Sequence, residues 1–163
     1  MLFDLLMPVY TLNLNYGKKL AADLPDELWA AQPVPGVTMN HGAWTVGHLA
    51  FVHDSVAGMI GGTPALDATW KALFAPGTKP LPDRSAYPAG DVLLREFEAS
   101  HARLAEAAAK LTPEAAAAPA PERLRARFPT IGTMTAGLMT GHFGTHLGQL
   151  SAWRRAMGLP SVF

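Results

Sequence analysis

Between Phe128 and Trp153 the chain carries no Asp, Glu, Lys or Arg. A charge-free run of that length either crosses a membrane or is buried inside a folded protein. Its five glycines, five threonines, two histidines and one glutamine are too polar for a lone lipid-facing helix. No membrane span is expected. A helix buried in a soluble core fits, and such a helix needs others to bury it.

Pro and Gly divide the rest of the chain into segments with helical periodicity. The first runs from about Phe3 to Leu24 and stops before Pro25, with Pro8 either delaying its start or kinking it. The second begins near Asn40, a candidate N-cap, and ends at the Gly61-Gly62 pair. A short helix around Ala68–Phe74 precedes a Pro- and Gly-rich loop from Pro76 to Gly90. The third long helix spans Asp91–Leu111, with Asp91 or its predecessor as N-cap. After an irregular connection from Thr112 to Pro129, the fourth covers Ile131–Met157 and ends at Gly158. No segment alternates at the period of a strand. The pattern predicts an all-α fold, a four-helix bundle with long loop connections.

The 163 residues suit a single domain spanning 1–163, and 49% apolar against 16% charged residues is a globular composition. Thirteen basic side chains balance thirteen acidic ones, so no global field recruits nucleic acid or an acidic membrane surface. The cluster from Arg123 to Arg127 reads as a solvated face. With no cysteine, disulfides and thiolate metal sites are excluded, and any metal must be held by nitrogen or oxygen. Met1–Tyr10 has an aspartate and no basic residue, unlike a secretory signal, so a cytoplasmic location is expected.

At 100° per residue, Ile131, Thr135, Leu138, Met139, His142, His146, Gln149, Leu150 and Trp153 fall on one broad, mostly apolar face. His142 and His146 lie in its middle, one turn apart, a spacing that lets two imidazoles reach one ion. On the second helix Trp44, His48, Val52, Ser55 and Met59 share the inward side. His53 projects from the opposite side. His41 is two turns too far along the axis to join the same ion, and His101 flanks the apolar stripe of the third helix. A lone HxxxH pair is often coincidental, and a lone core histidine is usually satisfied by a hydrogen bond. Three inward imidazoles without partners would cost about 1–3 kcal/mol each, and one shared ion satisfies them together.

The segment His142-Phe143-Gly144-Thr145-His146-Leu147-Gly148-Gln149-Leu150 resembles the HxxxHxGQL signature of the DinB-like (DinB/YfiT) superfamily. Trp44-Thr45-Val46-Gly47-His48-Leu49 is similar to that superfamily's W-x-x-x-H-L element. The resemblance implies a four-helix bundle in which His48, His142 and His146 bind one divalent ion, often zinc or nickel, and frequent homodimers. It also implies relatives that are thiol S-transferases, or that act on other thiols or amides. Leu147 departs from the basic residue common at its position, which weakens any transfer of substrate contacts.

Three neutral imidazoles leave positions open for water or substrate, as in a catalytic site. Gln149 is placed either to support His146 or only to satisfy backbone. Asp54, Glu96 and Glu98 fall on polar sides, no acid–base pair is evident, and no catalytic residue is assigned. The leading expectation is a metal-dependent thiol S-transferase or related hydrolase acting on a small molecule such as a low-molecular-weight thiol. The alternative is a non-catalytic, metal-stabilised helical module that binds a small molecule or protein partner. Gly137, Gly141, Gly144 and Gly148 lie within about 60° of one another, nearly opposite the histidines. The first helix also has a second apolar side of Leu5, Val9, Leu12 and Tyr16. Helices one and four are therefore expected to meet a second copy in a homodimer, unless loops such as Thr112–Pro129 cover them.

Overall fold

The structure, a computed structural model, describes residues 3–162, and their regular structure is helical. The helices are α1 (Met7–Ala21), α2 (Gly42–Met59), α3 (Ala68–Phe74), α4 (Gly90–Ala109), α5 (Pro113–Ala117), α6 (Glu122–Arg125), α7 (Ile131–Gly137) and α8 (Phe143–Ala156). A π-turn, Leu138–His142, joins α7 to α8 without a break. The all-α class is as the periodicity predicts. The four long helical segments close a ring: α1 packs on α8, α8 on α2, α2 on α4, and α4 on α1. No helix is long and apolar enough among the described residues to cross a membrane.

The termini follow local chemistry. Pro8 sits in the first turn of α1, where its missing N–H would lack a partner anyway, so the helix starts late and is not kinked. α2 is capped by His41 and not by Asn40. The His41 Nε2–H donates to the Leu81 carbonyl at 2.9 Å, which leaves Nδ1 bare to accept the Trp44 N–H at 3.3 Å. Asp91 is likewise not a cap but a first-turn residue of α4, whose N-cap is Ala89. Gly158, at φ 75°, ends the last helix where a side chain would be strained.

Two charged residues serve the fold from inside. Asp54 is 2% exposed, although its spacing places it on a polar side. It accepts the Ala65 and Leu66 N–H groups and the Arg103 Nε–H at 2.7 Å, which fastens the turn after α2 to α4. Arg154 is 1% exposed and donates to Asp23 and to the Leu20 and Pro160 carbonyls, tying the ends of α1 and α8 together.

The π-turn changes which face of the last helix is buried. Upstream, Met134, Thr135 and Met139 are buried; downstream, Phe143, Leu147, Leu150, Trp153 and Arg154 are. An unbroken α-helix carries the first set onto the line of His142, His146 and Gln149. The wide turn inserts one residue of phase, so Phe143 and Leu147 take the core and the histidines stand at its edge. Gln149 is exposed. The Thr140 hydroxyl donates to the Ala136 carbonyl at 2.7 Å, and such back-bonding competes with the regular ladder between two glycines, Gly137 and Gly141.

Candidate metal centre

His48 reaches the site from the middle of α2, His142 from the last residue of the π-turn, and His146 from the next turn, in α8. One ring nitrogen from each lies within 4.8 Å of those from the others, the only such metal-competent group found among the described residues. The rings are 5.3 Å apart for His48–His142, 4.6 Å for His48–His146 and 4.5 Å for His142–His146. The three histidines selected from spacing are therefore the ones the fold brings together. The π-turn puts His142 there, in keeping with the frequent placement of such turns at functional sites.

The tautomer of His48 follows from its neighbour. The Phe74 carbonyl can only accept, so the His48 Nδ1–H donates to it at 2.7 Å and Nε2 is left as a bare lone pair facing the site. Opposite it, His142 Nε2 lies 3.2 Å away. Bonds of ~2.0–2.1 Å to one tetrahedral ion set ligand nitrogens about 3.3 Å apart, so this pair has the right separation. His142 Nδ1 and His146 Nδ1 are buried without a hydrogen-bond partner. One ring nitrogen of each histidine converges on those of the other two, and such a set of imidazole nitrogens is what a divalent ion takes, so the residues fit one.

Burial pushes all three imidazoles toward the neutral, ligating form. His142 is lowered to about 3, first by desolvation and then by His146, His48 and the Arg127 charge. His146 is lowered to about 4 by desolvation and by His48, with a hydrogen bond to Gln149 pulling the other way. His48 is lowered by burial, partly offset by the Phe74 carbonyl. Gln149 in turn accepts from Asn40 Nδ2 at 2.9 Å, so it connects the start of α2 with His146. Trp44, one turn before His48, stacks on that ring at 4.6 Å and 8° and donates its indole N–H to Thr78.

The remaining histidines do other work. His41 is the α2 cap. His101 stacks on Tyr10 at 3.8 Å and donates to the Tyr10 carbonyl, away from the triad. His53, expected on an outer side, is fully buried among Tyr10, Phe97, His101 and Phe143, with neither ring nitrogen paired. Packing of α4 and the π-turn against that side of α2 encloses it, and desolvation holds it neutral.

A cavity of about 690 Å³ opens onto His48 and His142. One wall is the α2 line of Val52, Ser55 and Met59, which the spacing of that helix already marks as inward-facing. Across it stand Leu124, Phe128 and Leu138, and Phe128 is seated against Gly137, where a Cβ would meet its ring at 2.4 Å. Arg123 and Arg127 also line it, so this basic cluster is a cavity wall and not merely a solvated face. The loop that carries it is placed by tertiary packing, which local charge pattern does not report.

No curated protein and no solved structure matches the chain. A family model described as the DinB superfamily matches residues 15–150, a stretch holding both the Trp44–His48 element and the His142–His146 pair. On this match the chain belongs to the DinB superfamily.

Proposed function

We propose that this DinB-superfamily chain is a metal-dependent enzyme of the thiol S-transferase or related hydrolase type, with one divalent ion, zinc or nickel, on His48, His142 and His146. The carrying observation is the convergence of three neutral imidazoles, with no fourth protein ligand in the group, beside a cavity large enough for a small molecule. An ion held this way keeps its full charge and lowers the pKa of a coordinated water or thiol. The chain's own part is to hold the His48 lone pair inward through Phe74, to keep His142 unprotonated, and to shield one side with Trp44. A cytoplasmic setting, where thiols stay reduced, suits this chemistry.

The second reading, a metal-stabilised module that binds without chemistry, draws on one observation: among the described residues no carboxylate lines the cavity, so none of them offers an acid–base pair beside the ion. Metal-loaded protein is expected to consume a low-molecular-weight thiol in the presence of an electrophile, or to turn over in a hydrolase panel. Silence in both leaves the binding module as the better reading.

We further propose that residues 1–163 act as one domain that pairs with a second copy through α1 and α8. Leu5, Val9 and Leu12 are 90%, 45% and 64% exposed, and Gly141, Gly144 and Gly148 face open space with nothing within 4 Å of a built Cβ. Of the four glycines, only Gly137 is covered from within the chain, by Phe128. Light scattering at micromolar concentration is expected to give a dimer, weakened by Gly144→Leu with metal content unchanged; a monomeric parent protein refutes it.

A further inference from the structure

We propose that the cavity beside His48 and His142 selects small molecules with an apolar body and an anionic head, a carboxylate or a phosphate-type group, held at its rim by Lys71, Arg123 and Arg127. This deepens the reading above by naming the substrate class of the same site, but it rests on side chains that are not metal ligands.

The walls are apolar, with Val52, Met59, Leu124, Phe128 and Leu138 on the two sides. Among the described residues, the charged ones that line the cavity are Lys71, Arg123 and Arg127, with no Asp or Glu. They come from separate elements: Lys71 from α3, Arg123 from α6, and Arg127 from the turn behind α6. None of the ion pairs among the described residues uses any of the three. Arg125, by contrast, is turned away and spent on the Ala120 carbonyl. Arg127 lies with its guanidinium 5.2 Å from the Phe128 ring, so one residue pair supplies both an apolar wall and a cation.

In a chain of zero net charge, three unpaired cations around one concave apolar site are a local bias. Field lines concentrate in such a cleft, and guanidinium groups bind carboxylate and phosphate oxygens through paired N–H donors. A cationic ligand would meet uncompensated repulsion. A neutral one would leave the rim idle.

The test uses 4-phenylbutyrate, its primary amide, phenylbutylammonium and 3-phenylpropylphosphonate, titrated calorimetrically into the full chain, both zinc-loaded and metal-free. The two acids are expected to bind at least about tenfold more tightly than the amide in both forms, and the ammonium most weakly. Added salt should weaken the acids and leave the amide unchanged. Arg123→Ala/Arg127→Ala, at exposed positions, should bring acids and amide within about twofold, and Lys71→Ala should lower the acids part of the way. Comparing carboxylate with phosphonate tells which head the rim prefers. Equal binding of acid and amide, no binding of any probe, or an acid preference untouched by the double variant overturns the proposal. A preference confined to zinc-loaded protein also overturns it, because the head then sits on the ion. If the chain takes up no metal yet the metal-free preference stands, the enzyme reading falls and this one survives.

Discussion

Alanine in place of any one of His48, His142 or His146 is expected to abolish stoichiometric metal binding, measured by equilibrium dialysis of zinc or nickel. Loss of an outer partner of a metal ligand typically weakens binding ~10–100-fold, and removal of one of three ligands should exceed that. The His142 and His146 variants should still fold, since each removes a ring that the metal-free protein leaves with a buried, unpaired nitrogen, whereas His48→Ala also leaves the Phe74 carbonyl without its donor. Thermal melts supply the control. Metal at about a hundred times its Kd should stabilise the parent protein by about 2.7 kcal/mol and the variants hardly at all. The pH dependence has a definite sign. His146 and His142 are depressed to about 4 and about 3, so protons compete with the ion only well below the usual histidine range. With His48 lowered as well, uptake should persist below the usual ~6.5 and be lost as pH falls toward the depressed values of His146 and His142. Full metal content in all three variants would sink the site.

Gly47→Ala is the second substitution with a large expected effect, although it touches no ligand. A Cβ at Gly47 would lie 2.3–2.6 Å from three carbons of the Phe74 ring, and Phe74 is fully buried. The ring cannot swing into solvent, so α3 must move off α2. Overpacking of this kind typically costs 1–3 kcal/mol. The consequence specific to this site is that α3 carries the Phe74 carbonyl that holds His48 Nδ1–H. Displacing it frees the His48 ring to turn or change tautomer. Gly47→Ala should therefore lower the melting temperature of metal-free protein and weaken metal affinity about 10–100-fold, as for other partners of a ligand. An alanine variant with parental stability and parental affinity would show that the α2–α3 contact is softer than its geometry.

Much of the site is readable from residue spacing because its logic is local. Proline and glycine punctuation places the long helices within a few residues and α3 at its observed bounds, Ala68–Phe74. The HxxxH pair and the Trp44–His48 turn depend only on 3.6-residue periodicity over one or two turns, too short for a phase error to matter. What spacing misreads is tertiary. A uniform 100° step carried from Ile131 to Trp153 places Gln149 inside, because it has no account of a turn that is one residue wide of regular. Asp54 looks like a surface charge until Arg103 and the Ala65–Leu66 amides surround it. His41 displaces Asn40 as the α2 cap because the distant Leu81 carbonyl fixes its tautomer. The role of Arg123 and Arg127 depends on where an irregular loop comes to rest, and Phe128 against Gly137 settles that.

The wide turn at Leu138–His142 makes the last long helix two screws cut on one shaft, offset by a fraction of a thread. What aims the histidine pair is then the number of residues in the splice, more than their identities. Exchanging one side chain for another between Leu138 and Gly141 leaves the offset in place. Straightening the turn at unchanged chain length restores a uniform thread and rotates everything downstream by about 100°. Leu147 and Leu150 would then leave the core as His142 and His146 turn out of their present setting. Removing one residue from the splice cancels that rotation, so the extra residue and the wide turn together form one constraint on metal geometry and on core packing.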